Sequence, residues 1–323
     1  MQDSHKENSE ITTGPFMNVL YDYAFKRVFG TSHNKDILIS VLNAFLSDYT
    51  GEIKDIEYLP VEQLGIRPTD KKVSYDIYSK EGTERHFLLE MQHGRQTYYG
   101  RRTIAYVCRA VSNELRRGDL EYVYPSMVSL NLLDFHAPKI MGRDRFMQRV
   151  MLKNEENEIF SDKVMFVFAD LTIFANGKEA VDMGDVRQKW AYYIKNIGHL
   201  TEEEVKGETG IFKRFVDECR ISNLNEEEMR AYNKSIMDYA DVQDACVAAR
   251  EDGFAEGEAW GEARGEARGE ARGEARGEAR GEARGRIAGL AEAKRKMAME
   301  MLKKGLPVSM IADITGLNEE EIG

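Results

Sequence analysis

Hydrophobic spacing along the chain predicts a fold of the α/β class, followed by a helical, low-complexity extension. Segments 24–29 and 37–46 carry apolar residues three or four positions apart, as helices do. Three later segments alternate apolar and polar residues, as strands do: 53–59, 73–78 and 86–92. From residue 185 to about residue 249 the helical spacing returns. Such a mixed order of helices and strands is typical of α/β and α+β domains.

The second and third strand segments are predicted to form a β-hairpin, because the stretch between them, SKEGTE, contains a glycine and the polar residues of a turn. Residues 96–117 then show helical spacing, and segments 127–135 and 164–171 are predicted to be further strands. The chain has 323 residues, of which 42% are hydrophobic, so it can bury a large core. This composition excludes general disorder.

Cysteine usage and the lack of long apolar runs favour a cytoplasmic protein. Cys108, Cys219 and Cys246 are far apart and form no CxxC pair. This excludes a disulfide framework or a cysteine zinc site and favours a reducing compartment. No apolar run approaches the roughly 18 residues of a spanning helix, so no membrane partner is expected. Residues 1–15 are polar, which predicts a flexible leader. They also lack the apolar stretch of a secretory signal.

The remainder divides into a globular region, residues 16–240, a charged spacer, residues 241–295, and a short helical tail, residues 296–323. The spacer contains the tetrapeptide GEAR six times in succession, at 261–284. Each glycine costs about 1 kcal/mol relative to alanine in a helix, and opposite charges are not three or four residues apart. The spacer is therefore predicted to be only marginally helical. The alternative is close packing of its small residues between subunits.

Two interpretations of the tail are open. Ala312 and Gly316 are four residues apart, as in many helix-turn-helix elements, which favours DNA binding. The last helix, however, begins with Asn318 and three glutamates, which phosphate would repel. The preferred interpretation is a pair of packing helices, through which the repeat and the tail could form a homo-oligomer.

Charge is unevenly distributed along the chain. The net charge of −11 excludes a protein that coats nucleic acid through its overall charge. Segment 95–117 nevertheless carries six arginines and one acid, Glu114. On a helix, arginines seven residues apart share a face, and tyrosines between them suit contact with phosphates and stacking on bases or sugars.

This face predicts a DNA-binding surface. Its residues are Arg95, Tyr99, Arg102, Tyr106, Arg109 and Arg116. The opposite, buried stripe is predicted to contain Ile104, Val107, Val111 and Leu115. The alternative is an ordinary solvated amphipathic helix.

The hairpin contains the most specific chemical signal. Alternation places Val73, Tyr75 and Ile77 on one face of the first strand and Asp76 on the other. On the partner strand, Glu90 and Gln92 share a face, and both would be costly to bury without partners.

Two carboxylates and an amide oxygen that converge there would suit Mg²⁺ or Mn²⁺, which bind hard oxygen ligands. Such an ion activates water for attack on a phosphate. The alternative is that Asp76 and Glu90 form ion pairs on an exposed sheet face.

Several segments together resemble the Rpn family, the recombination-promoting nucleases and transposases of the PD-(D/E)XK superfamily. The segments are NVLYDYAFKRVFG (18–30), the Asp76 and Glu90-Met91-Gln92 hairpin, Arg102-xxx-Tyr106, Gly118-xxx-Tyr122 and PSMVSLNLLDF (125–135). The resemblance covers about residues 16–240. The glycine-rich charged repeat and the short helical tail also resemble those of many members.

The resemblance implies a restriction-endonuclease-like core, in which a mixed sheet is flanked by helices, and metal-dependent DNA hydrolysis. Asp76 and Glu90 match the metal-binding acids of the superfamily. Gln92 falls where many members have a lysine, and an amide cannot stabilise negative charge as an ammonium does. Arg95 or Lys26 could supply that cation. Asp22 is a candidate accessory acid, or else the partner of Lys26 one helical turn away.

The sequence therefore predicts a Mg²⁺-dependent DNA endonuclease linked to recombination or mobile-element activity. In this prediction Asp76 and Glu90 hold the ion, and Gln92 orients the water or completes the coordination shell. The alternative is a DNA-binding or assembly module whose nuclease core has lost activity. His86 and His93 are assigned no role as a general base.

Overall fold

The computed structural model describes residues 14–63, 72–96, 98–115, 121–142, 145–175 and 181–323. Arg116, most of the predicted leader and Gly118 lie outside these residues. The chain divides into two compact units, Met1–Val242 and Gln243–Gly323.

A six-stranded mixed sheet forms the framework of the first unit. The strands in chain order are β1 (Glu57–Tyr58), β2 (Glu62–Gln63), β3 (Val73–Ser74), β4 (Ile77–Glu81), β5 (Arg85–Gln92), β6 (Ser126–Leu133), β7 (Met147–Lys153) and β8 (Ile159–Asp170). The main sheet has the order β1-β4-β5-β6-β8-β7, and β2 pairs with β3 separately. Strands β5, β6 and β8 are parallel to one another, and the other pairs are antiparallel.

Helices of the first unit cover both faces of this sheet. The α-helices of the described residues are, in chain order, α1 (Asp22–Phe29), α2 (Lys35–Thr50), α3 (Tyr99–Glu114), α4 (Pro138–Met141), α5 (Val186–Asn196), α6 (Glu202–Val205), α7 (Gly210–Glu218), α8 (Glu226–Lys303), α9 (Val308–Thr315) and α10 (Glu319–Ile322). Helices α9 and α10 belong to the second unit. Local sequence determines several ends: Asp185 accepts hydrogen bonds from the first backbone N–H groups of α5, and α2 ends at Gly51, where φ is +74°. The predicted mixed sheet flanked by helices is confirmed.

The larger core lies between the sheet and helices α1, α2, α5 and α7. Trp190 of α5 is completely buried there and packs against the rings of Phe212 and Phe215. A smaller core lies under α3, on the other face of the sheet, and includes Leu88 and Val107. Strand β5 contributes to both cores, because successive side chains point to opposite faces.

The prediction of one regular strand over residues 73–78 is wrong. The chain bends at Asp76, so that β3 pairs with β2 and β4 pairs with β5. Val73 and Tyr75 pack in the smaller core, whereas Ile77 packs in the larger one. Alternation does not continue across the bend, because the two short strands belong to different sheets.

The predicted buried stripe of α3 is correct for Val107, which is 1% exposed, and wrong for two of its other members. Ile104 is 56% exposed and Leu115, which follows the helix, is 37% exposed. The buried residues are Tyr99, Thr103, Val107 and Ala110. These residues also have helical spacing. Tyr99 can be buried because its hydroxyl donates a hydrogen bond to Asn131 Oδ1 at 2.8 Å.

Strand β7 and the first part of β8 were not predicted, because segment 147–163 has weak alternation and many exposed residues. Among the described residues, no helical segment combines the length and apolarity that crossing a bilayer requires.

In the second unit, the GEAR repeat lies within α8 and all its residues are exposed. The role of the repeat as a spacer stays a prediction. Two short helices, α9 and α10, follow α8, and a turn at Gly316, where φ is +68°, separates them. Ala298, Ile311 and Thr315 are the buried residues of this tail.

Within the first unit, a buried hydrogen bond holds the start of α8: the Asn18 backbone N–H donates to the Tyr232 hydroxyl at 2.8 Å. Tyr232→Phe leaves this N–H without its acceptor, so we expect a loss of about 1–3 kcal/mol in the free energy of unfolding. Urea unfolding followed by the fluorescence of the buried Trp190 measures the loss. Tyr98→Phe, at a side chain that is 67% exposed, is the control. Equal unfolding midpoints for the two variants would contradict the expectation.

Candidate active site at the β4–β5 hairpin

The hairpin brings Asp76 and Glu90 together. Ile77 is opposite Leu89 in the β4–β5 register, so Asp76 is opposite Glu90. Two hydrogen bonds cross between the strands: the Met91 N–H donates to Asp76 Oδ2 at 2.8 Å, and the Asp76 N–H donates to Glu90 Oε1 at 3.3 Å. Each carboxylate is therefore held by the backbone of the opposite strand.

Burial makes both carboxylates difficult to ionise. Glu90 is only 6% exposed. Burial raises the pKa of Asp76 to about 6, although the hydrogen bond from Met91 and the charges of Lys26 and Arg102 oppose the rise. Burial and then the neighbouring charge of Asp76 raise the pKa of Glu90 well above its usual range. The nearby cations thus offset only part of the cost of ionising these buried groups, and a bound cation would offset more of it.

Gln92 is fixed by two hydrogen bonds. Its Nε2 donates to the Gly94 carbonyl at 3.1 Å, and its Oε1 accepts from the Arg102 guanidinium. Arg102 also donates to Gln96 Oε1 at 2.7 Å. The Arg102 guanidinium therefore lies beside the glutamine and lowers the pKa of both acids.

The sequence offered Arg95 or Lys26 as a cation near the acids. Lys26 lowers the pKa of both acids, and so does Arg102, which was not offered for this role. Its guanidinium carbon lies 5.2 Å from the ring centre of Tyr99 and 5.6 Å from that of Tyr106. The hydrogen bond from Arg102 to Gln92 Oε1 places its guanidinium at the site. The seven-residue spacing of the arginines placed Arg102 on the predicted DNA-contacting face. That spacing did not indicate its contact with Gln92.

The other residues predicted to contact DNA differ in exposure and do not all lie on α3. Tyr99 is 3% exposed, so its predicted place on the DNA-contacting face is wrong. Arg95 is exposed but lies in the loop before α3, because the helix begins only at Tyr99. Tyr106 and Arg109 are partly buried. The roles of these residues in DNA binding stay predictions.

Two exposed residues at the start of α3 were missed by the sequence analysis. Tyr98 is 67% exposed, and the Arg101 guanidinium lies 5.5 Å from the centre of its ring. They occupy the surface position that the prediction gave to Tyr99, because the helix presents a different face to the sheet.

A cavity of about 270 Å³ opens beside the hairpin, and Asp22, Asp76 and Gln92 line it. Asp22 also pairs with Lys26 at 2.6 Å, one helical turn away. Both interpretations of Asp22 are therefore compatible with its position: it pairs with Lys26 and it lines the same cavity as Asp76. The first part of α8 supplies the opposite wall through Ser235, Asp238 and Tyr239.

His93 is part of a charged network at the edge of this cavity. Its Nδ1–H donates to Asp134 Oδ2 at 2.6 Å, and Lys195 donates to the other oxygen of Asp134. Burial alone would raise the pKa of Asp134, but the hydrogen bonds from His93 and Lys195 outweigh burial and lower it. The partners are distant in sequence, so local patterns contained no signal for this network.

The donor set fits a hard divalent cation. Asp76 and Glu90 supply buried carboxylates with an incomplete counter-charge, and Mg²⁺ commonly binds to one or two carboxylates while it keeps several waters. Within the described parts of the chain, no cluster of three or more His, Cys, Asp or Glu side chains has the arrangement of a metal site. A cation at the hairpin would therefore rely on two protein carboxylates and on water.

The raised pKa of Asp76 predicts that the free energy of unfolding of the metal-free protein, measured in EDTA, falls as this carboxyl ionises. A carboxyl whose pKa is 3.8 in the unfolded chain and about 6 in the fold destabilises the fold when it ionises. The protonated carboxyl makes its full contribution to the free energy of unfolding below about pH 4, and this contribution is lost as the pH rises through 6. Asp76→Asn removes this cost and keeps an acceptor for Met91, so we expect it to stabilise the metal-free protein by about 2–3 kcal/mol above pH 6 and not below pH 4.

Thermal unfolding as a function of pH measures this effect. Asp55→Asn is the matched control, because a hydrogen bond from Lys35 lowers the pKa of Asp55 and neutralisation there removes a favourable interaction. A stabilisation of the Asp76 variant that did not depend on pH would refute the explanation.

Comparison with known proteins agrees with this geometry. Residues 19–249 match the model of the PD-(D/E)XK nuclease family transposase, and residues 291–323 match the model of the Rpn/YhgA-like nuclease family, C-terminal HTH domain. The second match favours the helix-turn-helix interpretation of the tail over the packing pair that the sequence analysis preferred. No curated protein and no solved structure matches the chain. The first match spans most of the chain and includes the hairpin and α3, so the chain belongs to the PD-(D/E)XK nuclease family transposases, as its resemblance to the Rpn family indicated.

Proposed function

We propose that the protein is a metal-dependent DNA endonuclease that hydrolyses phosphodiester bonds in DNA recombination or in the movement of mobile elements. The observation that carries the proposal is the pair of buried carboxylates, Asp76 and Glu90, held opposite each other by crossed hydrogen bonds. Burial raises the pKa of both carboxyls, and a bound Mg²⁺ or Mn²⁺ would stabilise their ionised forms.

Each residue of the site has a separate role in this proposal. Asp76 and Glu90 would hold the ion, which supplies a Lewis acid and lowers the pKa of a bound water. Gln92, held by Arg102, orients the attacking water through its amide. Arg102 offsets the charge of the acids and stabilises negative charge that develops on the phosphate.

DNA is the proposed partner of both units. In the first unit, Arg95 and Arg101 are exposed and near the site in sequence, and arginines of this kind position the phosphate backbone. In the second unit, the match to a C-terminal HTH domain supports DNA binding by the tail. Assembly of several copies through the repeat and the tail remains part of the proposal.

Cleavage of supercoiled plasmid by the purified full-length protein tests the proposal. We expect conversion to the nicked or linear form in Mg²⁺ or Mn²⁺, and none in EDTA or Ca²⁺. Intact plasmid in every metal would refute the nuclease function.

The alternative is a DNA-binding module that has lost catalysis, and the specific observation that favours it is Gln92 at the position where many members have lysine. Thermal unfolding distinguishes the two. A nuclease site should be stabilised by Mg²⁺ or Mn²⁺ through Asp76, because a ligand that binds only the folded state raises the melting temperature. An inactive core should show the same melting temperature with and without the metal while the protein still binds DNA.

A further inference from the structure

The cavity beside the hairpin has a wall that the proposed hydrolysis does not use. Three aromatic rings meet there: His93 stacks on Tyr239, with ring centres 3.9 Å apart, and Tyr21 meets both rings edge to face at 5.7 and 5.6 Å. All three residues line the same cavity as Asp76. Rings fixed in this way form a rigid apolar wall, against which a flat ligand packs at little entropic cost.

One buried polar group on the same cavity lacks a hydrogen-bond partner, and two carboxylates there can accept further hydrogen bonds. The Ser235 hydroxyl oxygen is buried and has no hydrogen-bond partner within the described part of the chain. Asp22 and Asp238 each bind a lysine through one oxygen, Lys26 at 2.6 Å and Lys234 at 2.6 Å. The Asp22 and Asp238 side chains are 62% and 61% exposed, so each carboxylate can accept a further hydrogen bond from a ligand. The cavity therefore combines a flat apolar wall with acceptors that suit an N–H donor.

An adjoining cavity of about 480 Å³ continues from the first one and shares Asp22, Ser235 and Asp238 with it. Lys26, Arg27 and Lys234 line this second cavity. Each of these cations pairs with a carboxylate. Their position next to an aromatic wall is typical of sites for single nucleic-acid strands, in which the backbone follows cations while a base packs on the rings.

We propose that the 270 Å³ cavity is a subsite for one unpaired nucleobase that carries an exocyclic amino group. Its size is slightly below the roughly 300 Å³ at which sites for drug-sized ligands begin, which suits a single base. The Asp22 and Asp238 carboxylates accept from the amino group of cytosine, adenine or guanine. Thymine has an acceptor at the corresponding position and would be disfavoured. The placement of this base beside the scissile phosphate rests on the proposed nuclease function, whereas the binding preference does not.

Affinity for short oligo-dC and oligo-dT strands of equal length tests the subsite. The full-length Glu90→Gln protein is used, so that no strand is cut, and fluorescence anisotropy gives the dissociation constants. We expect oligo-dC to bind about tenfold more tightly than oligo-dT. Asp238→Asn, which adds a donor for the thymine oxygen, should reduce this ratio severalfold. Asp241→Asn, on the same helix but outside the cavity lining, should keep the ratio.

A second variant tests the aromatic wall. Tyr239→Ala should weaken binding of both strands by about tenfold, because base stacking contributes about 1–3 kcal/mol per base. Tyr122→Ala, at a tyrosine that is 70% exposed, is its control. Equal affinity for the two strands, or a ratio that survives Asp238→Asn, would overturn the proposal.

The position of the base relative to the scissile phosphate is tested by sequencing the ends of a mixed-sequence DNA that the wild-type protein has cut. Depletion of thymine at one fixed position next to the cut supports the placement of the base. A preference for oligo-dC without cleavage of any DNA would refute the nuclease function and leave the subsite in place. Cleavage without a thymine-depleted position would overturn the placement.

Discussion

Glu90→Gln is expected to reduce plasmid nicking by about a thousandfold. A metal-bound site supplies several kcal/mol of transition-state stabilisation, and about 1.4 kcal/mol corresponds to a factor of ten in rate. Glutamine keeps the shape of the side chain and an acceptor for the Asp76 N–H, so the hairpin should remain folded. The initial rate of loss of supercoiled plasmid in Mg²⁺ measures the effect.

Glu84→Gln is the matched control, because Glu84 is exposed in the turn of the same hairpin. It should cleave at the wild-type rate. Full activity of the Glu90 variant, with an unchanged melting temperature, would show that this carboxylate does not take part in catalysis.

Arg102→Met is expected to reduce nicking by about a hundredfold, which is typical for loss of one charge-stabilising donor. Methionine fills similar volume but releases Gln92 Oε1 and removes the cation beside the acids. Because Arg102 lowers the pKa of both Asp76 and Glu90, its loss moves their ionisation to higher pH. The deficit should therefore be larger near pH 6 than near pH 8.

Arg101→Met changes the neighbouring, exposed arginine and separates catalysis from DNA binding. It should weaken DNA binding and leave the shape of the pH profile unchanged. Arg102→Lys should restore part of the activity, since it returns a positive charge without the planar guanidinium. A uniform loss at all pH values in Arg102→Met would assign this residue to DNA binding alone.

The sequence predicted those parts of the site that depend on local order. The short turn between the two strands determines which residues lie opposite each other, so Asp76 and Glu90 could be paired from the sequence. The class of the fold followed from the order of helices and strands, and the mixed sheet followed from the resemblance to the Rpn family. By contrast, the bend at Asp76 depends on pairing with β2, and no local pattern indicated that partner.

Non-local contacts explain the remaining errors. Helix α3 has two faces with helical spacing, and only the sheet beneath it decides which face is buried, so Tyr99 was placed outside and the contact between Arg102 and Gln92 was not predicted. The network of His93, Asp134 and Lys195 joins residues from three elements. Their proximity arises because the carboxyl ends of β5 and β6 lie side by side, which the parallel pairing produces.

The crossed hydrogen bonds at Asp76, Glu90 and Met91 have a consequence for the design of variants. These hydrogen bonds lie at the open end of the hairpin, opposite its turn. The relative position of the two acids therefore does not depend on the turn at residues 82–84 alone, and Gly82, where φ is +57°, has no atoms near its Cβ position. This turn is a suitable place to insert a peptide tag or a fluorophore attachment site, from which cleavage could be followed without disturbing the acids.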